Sequence, residues 1–154
     1  MLQIIRTNAK HPDFTLLVKQ LDSLLAIRDG KDHDFYQQFN GLEDIQYVLI
    51  AYLDQIPVAC GAIKPYDEER VEIKRMFTSL KFRKQGIAKD VLLALEEWTV
   101  ELSFQKCILE TGTKLPEAVA LYYKCGYQSI SNYGQYEGIE TSVCFEKNLI
   151  SILK

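Results

Sequence analysis

The chain carries little that could hold a metal. It has two histidines and four cysteines, with no C-x-x-C pair and no histidine at metal-ligand spacing, so no metal site is expected. Cys60, Cys107, Cys125 and Cys144 each stand among apolar residues, as small buried hydrophobes of a reducing compartment do; a disulfide or a catalytic thiol is the alternative. The N-terminal stretch MLQIIRTNAK has too short an apolar run for a signal peptide, and no run approaches transmembrane length. The expected location is therefore cytoplasmic, with no membrane partner. A net charge of -3 argues against a nucleic-acid binder that works through phosphate contacts. There is no internal repeat, low-complexity tract or linker, and 154 residues suit one domain, residues 1–154. A phosphate loop, a G-x-G-x-x-G fingerprint and a Ser-His-Asp set are all missing, which disfavours a nucleotide-binding module and an acyl-enzyme hydrolase.

What is present is ordinary globular material, 47% hydrophobic and 25% charged, with readable periodicity. Leu2–Arg6 reads as a short strand. Phe14, Leu16, Leu17, Leu21, Leu24 and Leu25 recur at helical spacing, and a second short helix is expected around Phe35–Phe39. QYVLIAYL and IPVACGAIK read as a hairpin turning at Asp54-Gln55, followed by the strand RVEIKRMFT. Ile87, Val91, Leu92, Leu95, Trp98 and Leu102 form one helical stripe. KCILE is a short buried strand. Pro116 opens a further helix that Gly126 ends, and YQSI and TSVCFEKNL supply the last strands. Strands fill the first half and alternate with helices in the second, the pattern of an α/β chain with a mixed sheet and helices on both faces. TSVCFEKNL is expected as an edge strand open to pairing, hence a possible homodimer.

One turn stands out. Lys74, Arg75, Lys81, Arg83, Lys84 and Lys89 cluster around RKQGIA, where a strand hands over to the stripe-bearing helix. The first N–H groups of a helix have no intrahelical partners and the helix dipole is positive there, so a glycine that lets a ligand approach makes an anion site. On spacing alone a solvated turn is the commoner reading.

In context, Arg83-x-x-Gly86-x-Ala88 after a strand and opening a helix resembles the acyl-CoA signature of the GNAT N-acetyltransferases, Gln/Arg-x-x-Gly-x-Gly/Ala. EAVALYYKCGY resembles that family's later Ala-x-x-Leu-Tyr-x-x-x-Gly-Phe/Tyr segment, in the usual order and with KCILE between. The resemblance runs from about Tyr47 to the end. It implies the GNAT fold, a central mixed, mostly antiparallel seven-stranded sheet flanked by about four helices, with acetyl-CoA as cosubstrate. Leu115 departs from the pattern, standing where many members carry a cofactor-binding Asn.

The resemblance also implies roles. Arg83, Lys84, Gln85, Gly86, Ile87, Ala88 and Lys89 would cradle the pyrophosphate, and Met76, Phe77 and Thr78 would meet the pantetheine arm and the thioester. Tyr122 occupies the position of the phenol that reprotonates the leaving thiolate. Its neighbour Tyr123 lies about 100° round the helix, so only one of the two should face the thioester. Glu72 stands where some members keep a general base, although Lys74 on the same strand face could hold it as a structural ion pair; alternation puts Glu72, Lys74 and Met76 together and Arg75 opposite. His33, Tyr36, Asn40 and Tyr133 are the acceptor-site candidates. The implied reaction is direct acetyl transfer to a primary amine, on a small molecule or a peptide, in a ternary complex. The alternative is a non-catalytic acyl-CoA-binding sensor on the same fold.

Overall fold

A computed structural model of the chain describes residues 1–29 and 45–150. The described elements are β1 (Leu2–Thr7), α1 (Pro12–Asp29), β2 (Tyr47–Leu53), β3 (Ile56–Pro65), β4 (Arg70–Thr78), α2 (Ile87–Glu101), β5 (Lys106–Gly112), α3 (Pro116–Lys124), β6 (Gln128–Ile130) and β7 (Ser142–Asn148). Short 3-10 turns lie at Leu80–Phe82 and Gly134–Tyr136. The helix expected around Phe35–Phe39 falls outside the described residues.

The seven strands form one sheet in the order β1-β2-β3-β4-β5-β7-β6. Every pairing is antiparallel except β4 with β5. β7 lies inside the sheet between β5 and β6, so TSVCFEKNL is not an edge. The edges are β1 and the three-residue β6. Both residues of the β2–β3 turn, Asp54 and Gln55, have positive φ (50° and 69°), as a two-residue hairpin turn with the sheet's twist requires.

The two faces of the sheet bury separate cores. Ile87, Val91, Leu92 and Leu95 of α2 pack with Leu49, Ile63, Leu109 and Phe145 on one face. Phe14, Leu17, Val18 and Leu21 of α1 pack with Val48, Ile50, Cys60 and Phe77 on the other. Ile108 and Cys144 continue that second face under Tyr133 and Tyr136. Cys60, Cys107 and Cys144 are buried, Cys125 is half-buried, and all four are free thiols.

Two irregularities interrupt this plan. First, β4 and β5 pair only at Arg70↔Lys106, Val71↔Cys107 and Glu72↔Ile108. Beyond that point both strands continue without pairing to each other, which opens the sheet in its middle. Secondly, the β3–β4 register jumps from Cys60↔Phe77 to Ala62↔Lys74, so Arg75 and Met76 together oppose Gly61. This is a β-bulge, and Arg75 takes φ +58° within it.

The bulge corrects the expected alternation. Arg75 shares the α1 side with Lys74, because it ion-pairs with Asp22 of α1. Met76 turns to the α2 side, where it packs beside Val91 and Leu95. Gly61 is what permits this: a Cβ there would meet Met76 Sδ at 2.7 Å, Leu95 Cδ1 at 2.8 Å and Val91 Cγ1 at 3.1 Å. Gly61→Ala is therefore expected to destabilise the fold by about 1–3 kcal/mol through overpacking, read as a lower urea midpoint at unchanged slope. An unchanged midpoint would show that the methionine side chain yields without cost.

Candidate active site

Where β4 and β5 part, two cavities meet through the sheet. A groove of about 540 Å³ runs along the N-terminus of α2 and the flank of α3. A smaller cavity of about 140 Å³ carries Glu72, Lys74, Arg75 and Glu110 among its polar lining. Leu21, Leu25, Met76, Leu115, Ala118 and Tyr122 belong to both walls. The junction of the two is thus apolar apart from one phenol.

The groove contains the basic turn. Gly86 caps α2 with φ +80°, and a Cβ built on it meets nothing within 4 Å. The main chain is therefore open to a ligand at the point where the free helix N–H groups lie. Lys84, itself at φ +65°, and Lys89 line the same groove and make no hydrogen bond or salt bridge to any described residue. Arg83 behaves differently. Its Nε donates to the Thr78 carbonyl at 2.9 Å, and its guanidinium lies over the Phe77 ring and 4.0 Å from Glu117. It ties the end of β4 to the turn. All the expected cofactor residues line the groove except Gln85, which is exposed and outside it.

Tyr122 is placed by the way α3 ends. Gly126 has φ +92°, the Gly126 N–H donates to the Tyr123 carbonyl at 3.1 Å, and the Tyr127 N–H donates to the Tyr122 carbonyl at 3.0 Å. Those two bonds make a Schellman motif, and the apolar contact that accompanies it is Tyr122 on Tyr127, edge to face at 5.7 Å. Tyr122 is 6% exposed and Tyr123 54%, so Tyr122 is the inward member of the pair. Its hydroxyl bonds no described residue, and burial holds its pKa well above the usual phenol value.

On the other side of the junction, Glu72 is buried and held from two directions. The Tyr133 hydroxyl donates to Glu72 Oε2 at 2.7 Å, and Lys74 Nζ lies 3.6 Å from Oε1. Tyr133 packs edge to face against Tyr66 and Tyr136. Burial first, and then the Glu72 carboxylate, keep the Tyr133 phenol protonated far beyond its ordinary range. Tyr133 thus reaches the cavity through Glu72. His33, Tyr36 and Asn40 lie outside the described residues. Glu110, which accepts a bond from the Ser142 hydroxyl at 2.7 Å, is a cavity carboxylate that sequence reasoning missed. The signal was available: it is the only acidic residue in the strand KCILETG, two positions from the buried Ile108 and so on the same face.

Residues 16–127 match the family model of the acetyltransferase (GNAT) family. The chain belongs to that family. It is 34% identical over 92 residues to the uncharacterized N-acetyltransferase YsnE of Bacillus subtilis, a match covering 58% of this chain and 61% of the relative. The chain thus spans about three fifths of that relative's length. A candidate acyl-CoA N-acyltransferase from Klebsiella pneumoniae superposes with TM-score 0.82 at 27% identity, over 97% of this chain and 98% of the other. A GNAT acetyltransferase from Elizabethkingia anophelis, solved with acetyl-CoA bound, shares the fold at TM-score 0.71 and 20% identity, over 96% and 98% of the two chains. The seven-stranded mixed sheet expected from the GNAT resemblance is the one found. Three α-helices are seen among the described residues, against about four expected. None of them is long and apolar enough to cross a membrane.

This GNAT site concentrates buried tyrosines, and that has a consequence for stability. Burial raises the phenol pKa of Tyr122, Tyr127, Tyr133 and Tyr136 in the folded state. A raised folded pKa gives stability that is complete below the unfolded value, near 10, and is lost as pH rises toward the folded values. Each such phenol costs up to about 1.4 kcal/mol per pH unit above 10. Urea melts between pH 8 and 11.5 should show a loss that begins at about pH 8.5, where the thiols raised by burial at Cys60, Cys107 and Cys144 start to count. It should steepen above 10, and Tyr133→Phe should make that upper part shallower. Stability that stayed constant to pH 11.5 would contradict the assigned burial.

Proposed function

We propose that this protein transfers acetyl from acetyl-CoA to a primary amine by direct attack in a ternary complex. The observation that carries the reading is the junction of two cavities at Met76 and Tyr122, at the point where β4 leaves β5. A long groove with an open helix N-terminus meets a small polar cavity there, as two substrates that must touch require.

Acetyl-CoA supplies the acetyl group as a thioester. The N–H groups opening α2, with Lys84 and Lys89, hold its pyrophosphate. The edge of β4 beyond Glu72, unpaired toward β5, offers main-chain hydrogen bonds to the pantetheine arm, and a main-chain N–H there polarises the thioester carbonyl. Glu72 takes a proton from the acceptor ammonium, directly or through water. The freed nitrogen lone pair forms the C–N bond, the C–S bond breaks with its electron pair on sulfur, and Tyr122 gives the thiolate a proton. A buried phenol suits that role because it is fully protonated at neutral pH. The nitrogen loses a second proton as the amide forms, which balances the one gained by sulfur, and the ammonium proton taken by Glu72 is released to solvent. Glu72 is positioned by Tyr133 and kept next to a cation by Lys74. The family's common Asn contact is replaced by Leu115, which adds apolar wall on both sides of the junction. The buried free thiols agree with work in the cytoplasm, and the edges β1 and β6 are the surfaces through which two copies could pair.

Tyr122→Phe should lower turnover at saturating acetyl-CoA by about 100-fold or more, with little change in KM for acetyl-CoA; unchanged turnover would remove Tyr122 from the reaction. Glu72→Gln should abolish the acidic limb of the pH–rate profile. Tight acetyl-CoA binding with no thiol release toward any amine would replace the enzyme reading with that of a sensor.

A further inference from the structure

We propose that Arg75 is the anchor for a carboxylate on the acceptor, and that the acceptor is a small zwitterion, an amino acid. The proposal rests on the acetyltransferase reading and names the substrate class of its smaller cavity.

Arg75 is an unusual wall residue. Its side chain is 2% exposed, it lines the smaller cavity, and among the described residues its bonded partner is Asp22, whose Oδ1 accepts from Nη2 at 2.5 Å. Its Nε is buried with no partner among the described residues. A guanidinium presents five N–H donors in a rigid fork, and a buried donor left unpaired costs about 1–3 kcal/mol, more when it is charged. Asp22 does not remove that cost, since its side chain is 49% exposed and engages one nitrogen. A strut between α1 and β4 would not leave a buried Nε unpaired. The backbone adds a second, independent sign: Arg75 sits at φ +58° in the bulge, a strain of about 1–3 kcal/mol of the kind that persists at ligand clamps.

The cavity's other polar groups fit an amino acid. Glu72 and Glu110 offer carboxylates for an ammonium, while Lys74 and Arg75 offer cations. A simple amine would satisfy only the acidic part of this wall. A molecule with both charges satisfies both parts, and the planar fork of arginine matches a carboxylate in a way that lysine does not. The volume agrees: the cavity measures about 140 Å³, and a void of roughly 150 Å³ takes a benzene-sized molecule.

The test compares each L-amino acid with its own carboxamide, which keeps the amine and side chain and removes the negative charge. Thiol release from acetyl-CoA gives kcat/KM, and calorimetry in the presence of CoA gives binding. For at least one pair the acid should exceed the amide by about 100-fold, as expected where a site's buried donors are left unpaired by the wrong ligand. In Arg75→Lys, checked by circular dichroism and melting for an intact fold, that ratio should fall toward one, mainly through KM. The wild-type pairs decide the matter even if the variant does not fold. Acids and amides acetylated equally well, or only amines without a carboxylate, would overturn the anchor and leave the transferase standing. Acids that bind in preference to amides without thiol release would keep the anchor and overturn the transferase. Neither acids nor amides binding or reacting would overturn the anchor.

Discussion

The parting of β4 from β5 after Glu72↔Ile108 is the constraint from which the rest of the site follows. Two neighbouring strands pair at three positions and then diverge, leaving on each an edge of N–H and C=O groups in the middle of the sheet. Buried main-chain groups are almost always satisfied, so an opening of this kind is stable only where water or a ligand completes it. It lies between the fourth and fifth strands of seven, and it joins the α2 side to the α1 side. A cavity on each face would otherwise be two unrelated pockets. Here they share a wall.

The opening survives because each of its lips is held from outside. β5 pairs with β7 along its whole length, from Lys106↔Asn148 to Gly112↔Ser142. β7 is in turn fastened to α2, where Lys147 Nζ lies 2.9 Å from Glu96 Oε1 and the Tyr127 hydroxyl donates to Glu96 Oε2 at 3.0 Å. Glu96 is buried, so losing Lys147 would leave an uncompensated charge, a penalty of about 3–5 kcal/mol. Tyr127 is also the residue that closes the α3 Schellman motif onto Tyr122. One buried carboxylate therefore links the sheet, the long helix and the placement of the candidate acid. On the other lip, Arg83 fixes the end of β4 by bonding Thr78, whereas Lys84 and Lys89 bond no described residue.

Much of this was legible before the fold was seen, for physical reasons that differ by residue. RVEIKRMFT is bounded by charged turns and matches β4 from Arg70 to Thr78. The α2 stripe is regular enough to give Ile87, Val91, Leu92 and Leu95 as core. Pro116 and Gly126 mark both ends of α3, proline because the first helical N–H has no partner to lose and glycine because it tolerates the positive φ of the cap. What could not be read was register. A bulge adds one residue to one strand without a sequence mark of its own, and Gly61, which accommodates it, lies on the partner strand. Strand order is equally silent, so the last long strand passed for an edge although β6 covers it. Tyr133 was legible as a site residue and Glu110 carried a signal on its strand face, but their meeting with Glu72 runs through pairings distant in sequence that no local pattern shows.

The bulge does more than displace one side chain. Without it, alternation would carry Met76 to the cavity that holds Glu72 and turn Arg75 toward the α2 core, where a guanidinium has no counter-ion. With it, the order along β4 becomes Ile73 to the α2 side, Lys74 and Arg75 to the cavity, and Met76 back to the α2 side. One extra residue thus brings a second cation into the polar cavity and places the thioether in the wall that cavity shares with the groove. The strain at Arg75 φ +58° and the open space required at Gly61 are the two local costs of this arrangement. What the bulge changes is which charges face the smaller cavity, the wall on which the proposed recognition of the acceptor rests.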